Sequence, residues 1–175
     1  MGYTHYWTIK ATKGEIKALE IKYQRAIKTC NKVIQAYQKV FRVLDSKHPN
    51  RLSGYSAFTS GYGGIKFNGT QDLAHEDFIF RHHFKENLGF NFCKTNNKPY
   101  DSVVTACLII MQHYLGNAIE VSSDGSLVDF GQGMLLVKAY TKLSPKYPAG
   151  VKSELRSVPP IPSNMMVIKN GRIYT

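Results

Sequence analysis

The feature that most constrains the fold is a long stretch whose apolar side chains recur every three or four residues. Between Glu15 and Leu44 the apolar positions are Ile16, Leu19, Tyr23, Ile27, Cys30, Ile34, Tyr37, Phe41 and Leu44. This spacing predicts one amphipathic helix roughly 45 Å long, at 1.5 Å per residue. Its apolar side must be covered, and the pattern fits the core of the chain and the interface of a homo-oligomer equally well.

Shorter patterns predict strands and two more helices around this long helix. Residues 3–11 are rich in aromatic and β-branched residues and predict a first strand. Apolar runs predict further strands at Ile65–Phe67, Phe78–Phe80, Phe90–Cys93 and Ala118–Val121, and helices at Pro99–Gly116 and Asp129–Leu143. The expected fold is therefore α+β, with a mixed sheet of about five strands, the long N-terminal amphipathic helix and two further helices.

Proline becomes frequent near the C-terminus, at Pro145, Pro148, Pro159, Pro160 and Pro162. This change in composition divides the chain into a single α+β domain over residues 1–144 and a proline-rich extension over 145–175. The dipeptide Asn170-Gly171 lies between β-branched runs and predicts a β-hairpin at the end of the extension. We expect that hairpin to pack on the domain.

The net charge of +11 indicates a partner that carries phosphate groups. Between Lys10 and Lys47 there are ten basic residues against three acidic ones. The basic side of the long helix is either a solvated surface or a nucleic-acid-binding one. No apolar run is long enough to span a bilayer and no signal peptide is visible, so we expect no membrane and a cytoplasmic location.

The cysteines and histidines indicate neither a disulfide framework nor a metal or other cofactor. Cys30, Cys93 and Cys107 are odd in number and widely spaced, which favours buried reduced thiols. The histidines near residues 75–83 lack the one-face spacing of a metal site.

Residues Cys93–Asp101 are the best candidate for a ligand site. A strand leads into a polar loop and then a helix, and Lys94, Thr95 and Lys98 fit around a phosphate above free backbone N–H groups. Asp101 lies near the positive end of the helix dipole, and Tyr100 either stacks on a base or covers the sheet edge. Alternatively, this segment is an ordinary connection between a strand and a helix, and Asp101 caps the helix.

Several residues elsewhere complete the predicted site. Ser123 and Asp124 follow the next strand and suit a ribose or base, or form a plain turn. Arg81 contacts phosphate or pairs with Asp77, and His5 contacts the ligand from the start of a central strand. Tyr62, in a glycine-rich loop, stacks on a base. No catalytic set has the required spacing.

Several segments resemble a known group of proteins. They are Met1–Trp7, Gly64–Gly69, His75–Phe78, Phe92–Asp101 and Ser123–Gly125. Together they look like small proteins encoded by tailed bacteriophages, most of which have no assigned function. The resemblance implies a phage protein at work in the cytoplasm of an infected bacterial host, where small accessory proteins often counter host defence.

The leading hypothesis is a non-enzymatic phage accessory protein that binds and sequesters a phosphate-bearing nucleotide, such as a host anti-phage immune signal. One alternative is a nucleotide-processing hydrolase or phosphodiesterase, with His75, Asp101 and Asp124 as acid–base candidates. Another is a basic protein that binds nucleic acid or a host protein through the long helix.

Overall fold

The structure, a computed structural model, describes residues 3–44, 51–54, 63–153, 167–169 and 172–174. Its helices in these residues are α1 (Ile16–Leu44), α2 (Asp101–Leu115) and α3 (Gly131–Tyr140). Its strands are β1 (Thr4–Ile9), β2 (Ile65–Phe67), β3 (Phe78–Phe80), β4 (Gly89–Lys94), β5 (Ile119–Ser123), β6 (Val167–Lys169) and β7 (Arg172–Tyr174). The predicted α+β class, with a long N-terminal helix and two further helices, is confirmed.

The strands are arranged differently from the mixed sheet of about five that the sequence suggests. In the central sheet β1 lies between β4 and β5, and both pairings are antiparallel. The short strands β2 and β3 form a separate antiparallel pair. Their phenylalanines pack on the buried side of β1, with the Phe78 and Phe80 rings 5.5 and 5.3 Å from the Trp7 ring. These strands therefore cover the central sheet instead of extending it.

Helix α2 lies at the centre of the molecule. Every side chain from Val103 to Met111 is buried, as the unbroken apolar run of the sequence predicts. The helix packs against β5 on one side and against α1 and α3 on others. Burial on all sides explains why α2 is apolar around its whole circumference.

The apolar stripe of α1 packs into the core of its own chain. Its buried side chains include Tyr23, Ile27, Cys30 and Ile34, and the exposed positions between them carry mostly lysine and arginine. Burial of each large apolar side chain contributes about 1.5–3 kcal/mol, so this stripe is a major source of stability. None of the described helices is both long enough and apolar enough to cross a bilayer.

The three cysteines are buried and free, as predicted. The Cys30 thiol lies 3.8 Å from the carbonyl oxygen of Cys107. Burial, with the nearby carboxylate of Glu76, raises the pKa of Cys93 to about 12. The Cys93 thiol therefore stays protonated and unreactive near neutral pH.

The beginning of the C-terminal extension lies on the domain. Val151 is buried, and the backbone N–H of Leu127 donates to the carbonyl oxygen of Lys152 at 3.1 Å. Strands β6 and β7 pair antiparallel, with Val167 opposite Tyr174, as the hairpin prediction requires. The turn that joins them lies outside the described residues, and the domain boundary at residue 144 stays a prediction.

Helices α2 and α3 approach closely at Gly133. A Cβ atom added there would meet the Thr105 hydroxyl and lie 2.6 Å from the backbone nitrogen of Ala106. Only a glycine allows this contact, because backbone atoms of a buried helix cannot move aside. At Gly131, in the first turn of α3, an added Cβ would meet nothing within 4 Å.

We expect Gly133→Ala to lower the free energy of unfolding by about 1–3 kcal/mol, because the methyl group overpacks the α2–α3 contact. The matched control is Gly131→Ala, which should leave stability unchanged or raise it by up to about 1 kcal/mol. Chemical denaturation of both variants measures the difference. Equal stabilities would contradict this account of the contact.

Candidate functional site

The predicted site residues that gather in one place lie at one end of the central sheet. There β1 begins, β4 and β5 end, and α2 begins. The antiparallel register places Thr4 opposite Lys94, and His5 opposite both Cys93 and Ser123. The predicted residues at this end are His5, Lys94, Thr95, Lys98, Tyr100, Asp101, Ser123 and Asp124.

Four of these residues form a buried hydrogen-bonded cluster, which we call the His5 network: His5, Thr95, Asp101 and Ser123. The Nε2 atom of His5 lies 2.6 Å from Oδ1 of Asp101, and its Nδ1 atom lies 3.0 Å from the Ser123 hydroxyl. The Thr95 hydroxyl donates to the same Asp101 oxygen at 2.5 Å. All four residues are buried, and His5 and Thr95 are fully so.

The carboxylate determines how hydrogens are distributed in the His5 network. An ionised Asp101 only accepts hydrogen bonds, so Nε2 of His5 carries a hydrogen. In the neutral imidazole, Nδ1 then accepts from the Ser123 hydroxyl, whose oxygen in turn accepts from the backbone N–H of Gly125 at 3.0 Å. Each side-chain nitrogen and the serine hydroxyl therefore has a partner inside the protein.

The His5 network contains the residue types of a Ser–His–Asp triad but lacks the access that catalysis requires. Two aromatic rings cover the imidazole edge to face, Tyr3 at 5.1 Å and Phe130 at 5.3 Å between centroids. A nucleophilic hydroxyl must touch its substrate, and the Ser123 oxygen is enclosed between His5 and Gly125. The network joins β1, β5 and α2, which is a structural role.

Tyr3 and Gly125 close this end of the sheet. Burial, together with the negative charges of Asp101 and Asp129, raises the pKa of Tyr3 well above its usual value. A Cβ atom on Gly125 would collide with the Tyr3 hydroxyl, so that turn needs a glycine. The carbonyl oxygen of Tyr3 accepts from the N–H groups of Thr95 and Asn96, at 3.1 and 3.0 Å.

Most backbone N–H groups of the Lys94–Asp101 loop, expected to bind phosphate, donate hydrogen bonds within the protein. Beyond the two bonds to Tyr3, Lys98 donates to the Thr95 carbonyl at 3.1 Å and Asp101 to the Lys98 carbonyl at 2.9 Å. At the start of α2, Val103 and Val104 donate to the carbonyl of Tyr100. These groups are therefore not free, and phosphate binding at this end would depend on side chains.

The exposed side chains of the loop differ in how firmly the protein holds them. The Lys98 ammonium donates to the carbonyl oxygen of Asp72 at 3.0 Å. Lys94 is half-buried, and no ion pair among the described residues includes its ammonium. Lys94 is therefore the better placed of the two lysines for an external anion.

Tyr100 and Asp124 differ in their exposure to solvent. Tyr100 is buried, and its hydroxyl donates to the Glu76 carbonyl at 2.9 Å, so it covers the sheet edge and does not stack on a ligand. Asp124 is exposed; it accepts from the backbone N–H of Thr4 at 3.0 Å and from the Tyr6 hydroxyl at 3.3 Å.

Arg81 lies after β3, where its backbone contacts Tyr23 and Asn87. The suggested ion pair between Arg81 and Asp77 does not form, because Asp77 pairs with Lys66 at 3.1 Å. Burial alone raises the pKa of Asp77, but hydrogen bonds from Asn68 and Lys66 outweigh it and lower the pKa below its usual value.

Two remaining predictions concern Tyr62 and metal binding. Tyr62 lies outside the described residues. Within the described part of the chain, no group of three histidine, cysteine or acidic side chains could hold a metal ion.

The outer face of the central sheet is a feature that sequence reasoning missed. Tyr6 on β1 and Phe90 and Phe92 on β4 lie there, and we call them the aromatic face. Phe90 is 64% exposed and Phe92 is 55% exposed. The Tyr6 and Phe90 ring centroids are 6.1 Å apart and nearly parallel, and the Phe92 ring is a further 6.1 Å from Phe90.

Strand alternation explains this arrangement. Successive side chains of a strand point to opposite faces, so Phe90 and Phe92 share one face of β4 while Cys93 points inward. The register pairs Tyr6 with Phe92 across the strands. Lys94 continues the outer face of β4, two residues beyond Phe92. The alternation was visible in the sequence, but it did not reveal which face would be left uncovered.

A depression at the opposite end of β1 is a weaker candidate. Its volume is about 530 Å³, and it is open to solvent. Its lining includes Lys10, Glu15 and Lys22. The Glu15 carboxylate accepts hydrogen bonds from the hydroxyl and the backbone N–H of Thr12. These bonds lower the pKa of Glu15.

Comparison of the chain with protein-family models, with curated proteins and with solved structures finds no match.

We expect Asp101→Asn to lower the free energy of unfolding by about 3 kcal/mol, because it removes the charge that accepts hydrogen bonds from His5 and Thr95 inside the protein. Asp72→Asn is the control, since Asp72 is exposed and makes no side-chain hydrogen bond among the described residues. Chemical denaturation measures both. An Asp101→Asn variant as stable as the control would show that the His5 network does not support the fold.

Proposed function

We propose that this protein binds a phosphate-bearing nucleotide at the outer face of its central sheet and holds it without transforming it. The observation that carries the proposal is the aromatic face. Three neighbouring aromatic side chains lie at the surface of the sheet, and two of them are more than half exposed, whereas the side chains on the opposite face of β1 are buried. Exposed aromatic side chains that lie together usually mark a binding surface, whereas single exposed ones are common and have no such meaning.

Nucleobases suit this surface because they are flat and stack on aromatic rings. Such stacking contributes about 1–3 kcal/mol per base and tolerates any base, since every base has a π-face. The Tyr6 hydroxyl bonds to Asp124, which keeps the tyrosine ring in place beside Phe90. A base would therefore meet a tyrosine ring that is already held in place.

Charged side chains beside the aromatic face supply contacts for the rest of a nucleotide. Lys94 lies next to Phe92 on the same face and is free of ion pairs among the described residues, so its ammonium suits a phosphate. Asp124 has an exposed carboxylate that suits ribose hydroxyls or base amino groups. The net charge of +11 attracts any anionic ligand over a longer range.

Holding a nucleotide fits better than converting it. Of the acid–base candidates, Asp101 is buried in the His5 network, while His75 and Asp124 come from separate loops, and Asp124 is held by Thr4 and Tyr6. General acid–base catalysis needs groups positioned together around the reacting atoms. The resemblance to phage proteins adds a purpose, which is sequestration of a host anti-phage nucleotide signal.

The basic surface of α1 favours a second candidate function, binding of nucleic acid or of an acidic host protein. Its exposed basic side chains are Lys17, Lys22, Arg25, Lys28, Lys32 and Lys39. No ion pair among the described residues neutralises them. Binding through this surface would weaken steeply with salt and would not require any aromatic ring.

Titration calorimetry with ATP and adenosine tests the proposed function. We expect ATP to bind more tightly than adenosine, because Lys94 contacts phosphate. Phe92→Ala should weaken ATP binding about tenfold, in line with the loss of one stacking contact. Lys94→Ala should remove most of the preference for ATP over adenosine.

Ile21→Ala is the matched control, because Ile21 is 56% exposed on α1 and lies away from the sheet. ATP affinity that is absent, or that is equal in the wild type and the Phe92 variant, would contradict the proposal. After heat denaturation of the complex, chromatography should recover ATP intact. Recovery of ADP or AMP would instead support the hydrolase.

A further inference from the structure

We infer that the natural ligand of the aromatic face is a single-stranded nucleic acid, with successive bases on successive rings. This inference rests on the proposed function, because it uses the same aromatic face, and it extends the ligand from a single nucleotide to a chain of nucleotides. It differs from a nucleic-acid site on α1, because it places the polymer on the sheet.

The size of the aromatic face indicates more than one base. The three rings lie on two adjacent strands, with equal separations of 6.1 Å from Tyr6 to Phe90 and from Phe90 to Phe92. One base covers about one aromatic ring, so a mononucleotide would leave the others in water. A strip of rings suits a row of bases.

The shape of the surface points the same way. Sites for small molecules are concave and bury about 70–90% of the ligand. The aromatic face is an open sheet surface, and the depression of about 530 Å³ lies at the other end of β1, lined by residues such as Lys10 and Asn117. An open face obtains affinity from several shallow contacts along a polymer.

Single strands are favoured over duplexes because stacking needs exposed base faces. In a duplex the bases are stacked on each other and offer only their edges and the backbone. The exposed rings of Phe90 and Phe92 would gain nothing from those groups. A single strand can lay its bases on the rings and leave its phosphates at the margins.

Cations stand near both ends of the aromatic face. Lys94 lies beyond Phe92 on β4, and Lys10 continues the same face of β1 as Tyr6 and Thr8. Lys10 pairs with Glu120 at 3.2 Å, but both side chains are about two-thirds exposed, at 67% and 69%. Such surface pairs contribute little, so a phosphate can replace the carboxylate.

Electrostatics argues against a second copy of this chain as the occupant. Each copy carries +11, so two copies repel each other, whereas a polyanion is attracted. The charge of the chain therefore complements a nucleic acid and opposes a second copy.

Fluorescence anisotropy with labelled oligo(U) and oligo(dT) of about twelve nucleotides tests the inference. We expect either polymer to have a dissociation constant at least a hundredfold lower than that of UMP, measured by competition, because several bases stack at once. Their affinity ratio identifies the sugar. A duplex of the same length should bind more weakly than the single strands.

Substitutions at Phe92 separate stacking from general apolar contact. Phe92→Ala and Phe92→Leu should both weaken binding about tenfold, whereas Phe92→Trp should retain or improve it. Ile21→Ala should leave affinity unchanged. Wild-type affinity in Phe92→Leu would overturn stacking on this ring.

A charge-matched pair locates the polymer. Lys94→Glu and Lys28→Glu change the net charge equally, but only Lys94 lies beside the aromatic face, so Lys94→Glu should weaken binding more. A larger effect of Lys28→Glu, together with a duplex affinity equal to that of the single strands, would overturn the inference and indicate binding at the α1 surface. UMP that binds as tightly as the oligonucleotide would reject this inference alone. Absent binding of UMP, ATP and both polymers would reject the proposed function as well.

Discussion

The hydrogen bond between His5 and the buried carboxylate of Asp101 is the interaction on which this structure depends. It is 2.6 Å long and links the central strand β1 to the first residue of the buried helix α2. A buried carboxylate is tolerated only where hydrogen bonds replace its water, and His5 and Thr95 provide them. The start of α2 adds the positive end of the helix dipole. The position of α2 on the sheet is therefore fixed at this point.

This constraint explains why function must be sought on the other side of β1. The polar groups that resemble a reactive site are all used to satisfy one another inside the protein. Neighbouring residues of a strand point to opposite faces, so Tyr6 is partly exposed on the face opposite His5. The residue that anchors the fold and one that is available to a ligand are therefore adjacent in the chain.

The sequence predicted the elements better than their assembly. Helices α1 and α2 were predictable because their apolar patterns depend only on local periodicity. The grouping of β2 with β3, apart from the central sheet, was not, because three-residue strands carry no signal of which neighbour they pair with. It results from a tertiary contact, the packing of Phe78 and Phe80 on Trp7.

The site residues show the same division. The sequence predicts His5, Thr95, Asp101 and Ser123 as site residues because they are polar residues near the ends of strands or the start of a helix, and the structure does bring them together. Sequence could not tell that they bond to one another, because burial depends on Tyr3 and Phe130 closing over His5. It was also silent on the exposure of the Phe90 side chain, since an apolar residue in a strand is usually assigned to the core.

The aromatic face and the His5 network are coupled through β1 even though they lie on opposite sides of it. A ligand that binds only the folded chain stabilises that chain by an amount that grows with the ratio of ligand concentration to dissociation constant. Contact with Tyr6 also acts on Asp124, which accepts hydrogen bonds from both Tyr6 and the backbone N–H of Thr4, next to His5. A ligand bound at the outer face would therefore help to hold the start of β1 in the position that the buried His5–Asp101 pair requires. Occupancy of the surface would then add to the stability of the core without any change in the fold.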